Sequence, residues 1–351
     1  MLKTNIKKLA KSEVEIEGEL EAEAFEGYYH KALKKIGENV ELAGFRKGKA
    51  PENILISHIP EMHILEEMAQ MALGEHYPKI IEENKIDAIS RPEIAITKLA
   101  RNNPLEFKIK TAVMPETKLP DYKKIAKDVI SKVTDAEKNI VITDEDVENT
   151  IMDIRKSRAP KKHVTEPVEG EESLEPKEEE LPAFNDEFVQ QLGPFENVED
   201  FKEKLKINIK LEKENQQKEK TRLQIVEEII DKTEVDMPEI LVETELDKIL
   251  FRMESDITQM GLKFEDYLKH LNKTVEEIRK DFRKDAEKKA KLGLVLNKLS
   301  EVENIVADPE QVQKEVDHIL EHYKDADRER ATLHAQNVLT NEKVFQFLET
   351  Q

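Results

Sequence analysis

Cysteine is absent from the 351 residues, and so is tryptophan. Without a thiol there is no disulfide, no thiolate zinc site and no cysteine nucleophile, and the chain suits a reducing compartment. Aromatic residues make up 5% of the chain, which argues against one large compact globule. Glycine occurs only ten times. That scarcity disfavours glycine-rich nucleotide folds, sandwiches and propellers, and neither G-x-x-x-x-G-K-[ST] nor G-x-G-x-x-G occurs. No apolar run approaches the ~18 residues of a membrane span. The opening Met1-Leu2-Lys3-Thr4-Asn5-Ile6-Lys7-Lys8 leads into no apolar signal core. The expectation is a cytoplasmic protein, neither secreted nor membrane-bound.

What the chain has instead is charge. Hydrophobic and charged residues each make up 38%, and 76 acidic side chains against 56 Lys plus Arg leave a net charge of −20. Such a chain is a poor generic binder of DNA or RNA, so any nucleic-acid contact requires a local basic patch. The charge is unevenly spread. Residues 1–121 net −3, 122–162 net +2, 163–187 net −9 and 188–351 net −10. The densest stretch, Glu166 to Glu180, holds Pro167, Gly170 and Pro176 and almost nothing apolar. It reads as a solvated, self-repelling linker between two folded parts.

Ahead of that linker the pattern is mixed. Val14, Ile16 and Leu20 alternate with Glu15, Glu17 and Glu19, the period of a half-buried strand. Phe25, Tyr28, Tyr29, Ala32, Leu33, Ile36 and Val40 recur at helical spacing, and a second helix is expected over Glu61–Asn84. Two further strands are expected around Ile94–Ile96 and Phe107–Val113. Residues 1–115 therefore read as an α+β module with a small antiparallel sheet. Residues 116–158 form a connecting segment with a helix near 143–157, and 159–182 form the acidic linker. Residues 183–351 read as an extended all-α domain with helices over 197–233, 238–260, 274–302, 309–324 and 328–349. Their starts are marked by Asn197, by Thr274 with Glu277 as a capping box, and by Asp308-Pro309.

The most informative segment is Gly44-Phe45-Arg46-Lys47-Gly48-Lys49-Ala50-Pro51, between two amphipathic helices. Residues 31–49 hold six basic side chains and two acidic ones, a local excess on an acidic chain. Gly44 and Gly48 permit tight turns, and Pro51 suits the first turn of the next helix. An exposed Phe beside Arg and Lys makes an anchor flanked by cations that pair with phosphates or carboxylates. The competing reading is an ordinary helix–helix turn, with solvated lysines and a Phe folded onto its own core.

This segment resembles the signature loop G-F-R-x-G-x-x-P of the bacterial trigger factor family in full. Glu180-Leu181-Pro182-Ala183-Phe184-Asn185-Asp186-Glu187-Phe188 is similar to that family's entry into its helical C-terminal domain, and Ala290–Leu299 resembles that domain more loosely. The resemblance spans residues 1–158 and 181–351. It implies an ATP-independent chaperone that binds the ribosome through Gly44, Phe45, Arg46, Lys47, Gly48, Lys49 and Pro51. The implied partners are the large subunit, at its tunnel-exit protein and nearby rRNA, the unfolded nascent polypeptides, and a second copy of the chain when free. It implies no cofactor. The family's usual member also carries an FK506-binding-type prolyl-isomerase domain. Here only residues 159–180 separate Arg158 from Leu181, too few for a β-rich domain of roughly 80–100 residues. That segment lacks any aromatic residue to line a catalytic pocket. The expectation is a shortened form with no catalytic residues, the alternative being a prolyl isomerase as in full-length members.

Two other features stand out. His318-Ile319-Leu320-Glu321-His322 matches the H-x-x-E-H zinc-hydrolase pattern. No third ligand follows it, so it is read as a surface-helix coincidence with no metal. Met253, Ile257 and Met260 lie on one helical stripe and Ile319, Tyr323 and Leu333 near the last two helices; together they are the candidate client-binding surface. The alternative is that they pack helix against helix.

Overall fold

The computed structural model of the chain describes residues 2–41, 45, 48, 51–134, 140–159 and 181–351. Two compact units make up the fold. The first joins Met1–Pro120 to Lys232–Asn304, and the second joins Asp121–Asp231 to Ile305–Gln351.

In the first unit, β1 (Leu2–Leu9) and β2 (Glu13–Leu20) form a hairpin whose turn residues Lys11 and Ser12 adopt φ of 60° and 47°. With β3 (Glu93–Lys98) and β4 (Leu105–Ala112) they make an antiparallel sheet of order β1-β2-β4-β3. Ile16 sits opposite Ile6 on one side and Ile109 on the other. β2 was expected from its alternation, but β1 was not. Its apolar residues Leu2, Ile6 and Leu9 fall four and three apart, which is a helical spacing.

One face of the middle strands β2 and β4 is buried under α1 (Ala22–Glu26), α2 (Tyr29–Asn39), α3 (Glu52–His58) and α4 (Glu61–Glu83), while β3 is exposed along its length. Ile16, Leu20, Leu105, Phe107 and Ile109 from the strands meet Phe25, Leu33, Leu55 and Met68 from the helices in a single core. The Phe107 ring lies against Gly18, its register partner; a Cβ there would fall 2.1 Å from the ring's Cζ. The opposite face is a charge ladder. Lys7 and Lys108 each approach the Glu17 carboxylate to 2.8 Å, and Lys110 approaches Glu13 to 2.7 Å.

The same unit includes α9 (Glu239–Gln259), α10 (Phe264–Leu271) and α11 (Val275–Val302). Val242 and Leu246 of α9 pack on Ala286 of α11. The capping box expected at Thr274 and Glu277 is present. The base of this hairpin is tied to the sheet. Ser12 donates its N–H and its hydroxyl to the Asp236 carboxylate (2.9 Å) and carbonyl (2.7 Å). Lys118 and Glu234 exchange both backbone hydrogen bonds.

The second unit holds α5 (Tyr122–Lys132), α6 (Asp144–Arg158), α7 (Asp186–Leu192), α8 (Val198–Lys232), α12 (Pro309–His322) and α13 (Arg328–Glu349). The similarity at residues 180–188 has a packing basis. Phe184 meets Phe188 and Phe201 edge to face at 6.2 and 5.8 Å, and Phe188 joins Val147 and Ile151 in a small core. Arg222 of α8 donates to Glu342 at 2.9 Å and to Glu349 at 2.6 Å, fastening α13.

The five long helices expected after the linker are α8, α9, α11, α12 and α13, and the helix expected near 143–157 is α6. The division into 1–115 and 183–351 followed chain order. The compact units do not, because α9–α11 fold with the sheet. Most of the acidic linker, residues 160–180, lies outside the described residues.

Candidate functional site

The loop 44–51 joins α2 to α3. α2 turns Ala32, Leu33 and Ile36 into the core and leaves Lys31, Lys34 and Lys35 exposed. Gly37 lets α3 approach closely; a Cβ there would fall 2.7 Å from Leu55 Cδ1. Pro51 precedes the helix as its N-cap at φ −63°, one place earlier than expected, and its carbonyl accepts from Ile54 and Leu55. His30 of α2 lies 3.3 Å from Glu52 at the start of α3. Both ends of the loop are thereby fixed to packed helices.

Within the loop, Phe45 is 40% exposed and Gly48 has φ +76°, a conformation that favours glycine. Gly44, Arg46, Lys47 and Lys49 lie outside the described residues. The ring of Phe45 is thus not sealed into the core, as the ordinary-turn reading required. Ile56 and Met62, on the helices that follow, are also exposed. The sequence reading passed over both: Ile56 ends the apolar run Ile54-Leu55-Ile56 and so reads as core, and Met62 sits alone between Glu61 and His63. Behind α2, burial and the hydrogen bond to Glu75 (2.8 Å) push the Tyr28 phenol up to about 12, so it stays a neutral donor.

The candidate client residues divide. Met260 is 75% exposed, and Tyr323 and Leu333 are exposed as well. Met253 is half-buried, and Ile319 packs beside the Val312–Val316–Ala331–Ala335 cluster. Ile257 is a correction: at 6% exposure it belongs to the packing of α9. It falls three and four places from its two stripe partners, but the buried arc of α9 passes through it. Phe251, at 75% exposure, and Leu262 were missed. Phe251 stands on the solvent arc of α9 with the exposed Ile240, opposite the buried Val242, Leu246 and Ile257, and a helical wheel of α9 would have shown it there.

His318 and His322 are exposed, with rings edge-on at 4.6 Å. Among the described residues no group of three or more His, Asp or Glu is placed to hold a metal ion. No helix among them is long and apolar enough to cross a membrane.

These observations define a two-part protein: an α+β module presenting a glycine-turned loop with an exposed aromatic, and long helices bearing scattered exposed apolar side chains. The family model described as bacterial trigger factor protein matches residues 2–154, and that of the trigger factor C-terminus matches residues 197–349. The trigger factor of Carboxydothermus hydrogenoformans is 30% identical over 405 aligned positions, covering 96% of this chain and 95% of that one. The trigger factor of Caldicellulosiruptor bescii is 26% identical over 392 positions, covering 91% and 88%. Both alignments are longer than the 351-residue chain, so these relatives carry residues that it lacks. A solved chain described under promiscuous substrate recognition in folding and assembly activities of the trigger factor chaperone has the same fold. It matches with a TM-score of 0.55 and 18% identity over 99% of both chains. The chain belongs to the bacterial trigger factor family.

Proposed function

We propose that the chain is a ribosome-associated, ATP-independent chaperone of the cytoplasm, acting on newly made proteins during folding and export. Its loop 44–51 docks beside the nascent-chain tunnel exit of the large subunit, Phe45 filling a pocket while Arg46, Lys47 and Lys49 meet rRNA phosphates or acidic side chains. Tethering raises its effective concentration near emerging chains. Apolar segments are then shielded through weak, repeated contacts with exposed side chains, chiefly Phe251, Met260, Leu262, Tyr323 and Leu333. Such contacts release without a nucleotide. Pairing with a second copy would cover the same side chains when the protein is free.

The observation that carries this reading is the complete loop signature, set between α2 and α3 with an exposed Phe45 at its head. No isomerase activity accompanies it, since the 22 residues between Arg158 and Leu181 hold no aromatic residue. The test is co-sedimentation with ribosomes. Phe45→Ala, Arg46→Ala and Lys47→Ala together are expected to abolish binding at moderate salt while leaving helical content unchanged. Anchors of this kind cost ~2 kcal/mol or more each on truncation. Undiminished binding by the triple variant would remove the docking assignment.

A further inference from the structure

α11 carries an arrangement that the docking loop does not use. Residues 279–291 hold seven lysines and arginines against three acids. The two arginines turn toward α9 and meet its carboxylates, Arg279 pairing with Asp247 at 2.7 Å and with Glu243, and Arg283 with Glu239 at 2.6 Å. Lys280, Lys284, Lys288 and Lys291 follow at intervals of four, four and three, which gathers them on one face of the helix. That face is turned away from the buried Ala286 and Ala290. The first three lysines are exposed and the fourth half-buried.

None of the four makes an ion pair or hydrogen bond among the described residues. Three of the nearby acids are already engaged. Glu277 closes the helix cap on the Thr274 N–H at 2.8 Å, Asp281 takes Lys273 at 2.5 Å, and Glu287 takes Arg283 at 3.3 Å. Glu276, one turn before Lys280, and Asp285 are left on the flank, two acids against four lysines. On a chain of net charge −20, a row of unneutralised cations on one helix face is a concentrated exception.

We propose that this face of α11 binds the sugar-phosphate backbone of RNA. At 1.5 Å per residue, Lys280 to Lys291 spans about 16 Å. A helical nucleic-acid strand advances about 3.4 Å per phosphate, so the row covers roughly five phosphates. No aromatic side chain shares the face, since Phe282 packs inward beside Val242 and Leu246. Binding is therefore to phosphates without base stacking, and is independent of sequence. A polyphosphate chain is favoured over an acidic peptide because its condensed counterions are released on contact. The negative remainder of the chain confines RNA to this side. The inference does not rest on the docking reading.

The experiment uses the full chain and a fluorescein-labelled 20-nucleotide uridine RNA, followed by anisotropy between 50 and 200 mM KCl. Four phosphate contacts give a log–log salt slope of about −3, at ~0.7 per contact on a single strand. Lys280→Glu, Lys284→Glu and Lys288→Glu together are expected to weaken binding at 50 mM KCl at least tenfold and to flatten the slope by about two. The corresponding Gln variant should do the same to a lesser degree, and serves if the Glu variant loses helicity. The Phe45/Arg46/Lys47→Ala variant should keep most of the slope. The proposal is overturned if the wild-type chain does not bind at 50 mM KCl, or if the slope survives the stripe variants. It is overturned too if polyglutamate of equal charge displaces the RNA, which would mark a surface for acidic peptides. Should the loop variant still co-sediment with ribosomes while the stripe variants lose RNA, the docking reading fails and this one stands.

Discussion

The ring of Phe107 lies across Gly18 so closely that Gly18→Ala must move either the ring or the strand. Overpacking of this kind costs about 1–3 kcal/mol, less ~0.4–1 kcal/mol from the stiffer unfolded chain. A lower urea midpoint with an unchanged slope is expected. On the other face of the same strand, hydrogen bonds from Lys108, then Lys7 and Asn5, hold the half-buried Glu17 carboxyl down at about 2. A carboxyl whose pKa is depressed in the folded state contributes fully above its ordinary value of 4.5, and that contribution is lost as pH falls toward 2. In Lys108→Met, Glu17 followed by NMR should titrate closer to 4.5. At this scale the turn chemistry of the loop was legible. The two loop glycines were assigned to turns, and Gly48 has the positive φ that such a turn uses. Pro51 was read into the first turn of α3 and stands just ahead of it as the N-cap, where its φ of −63° still leads into the helix. The burial of Ile257 was not legible, since stripe spacing tells which residues share a side and not what covers it.

Among the elements, the long helices could be read because many apolar positions repeat the same spacing. α3, α7 and α10 have only seven or eight residues each, too few for the period to declare itself. α5 is longer but buries only Ile125, Ala126 and Val129. The helix α9 offers a direct contrast between packing and exposure. Ile257→Ala removes buried methyl groups and is expected to cost ~2–4 kcal/mol. Phe251→Ser, Met260→Ser and Leu262→Ser alter solvent-exposed positions and should each stay within about 0.5 kcal/mol. If the exposed residues hold clients, the triple Ser variant will protect an aggregating, thermally unfolding client less well without losing its own stability, as light scattering and circular dichroism would record. Full protection by that variant would move the client surface elsewhere, and Tyr323 and Leu333 on the second unit are the next candidates.

For the molecule as a whole, the reading without an isomerase predicts a null result in a sensitive assay. An X-Pro isomerisation phase of tens to hundreds of seconds should keep its rate when substoichiometric chain is added. A many-fold acceleration would overturn the reading of residues 159–180. The chain-order division at the linker could not be improved from sequence. The ties that bind α9–α11 to the sheet are a few isolated hydrogen bonds, between Ser12 and Asp236 and between the backbones of Lys118 and Glu234, more than 100 residues apart and unmarked by any pattern. Those ties impose a schedule on the protein's own birth. The strands and the loop are made first, yet the unit they belong to is complete only once residue 304 has been added. At ~5–20 residues per second, the sheet emerges and then waits on the order of 10–40 s for its missing helices. During that interval the module is itself an unfinished nascent chain with an open flank at Ser12. A protein of this family would then be among the clients that another copy of it meets at the ribosome.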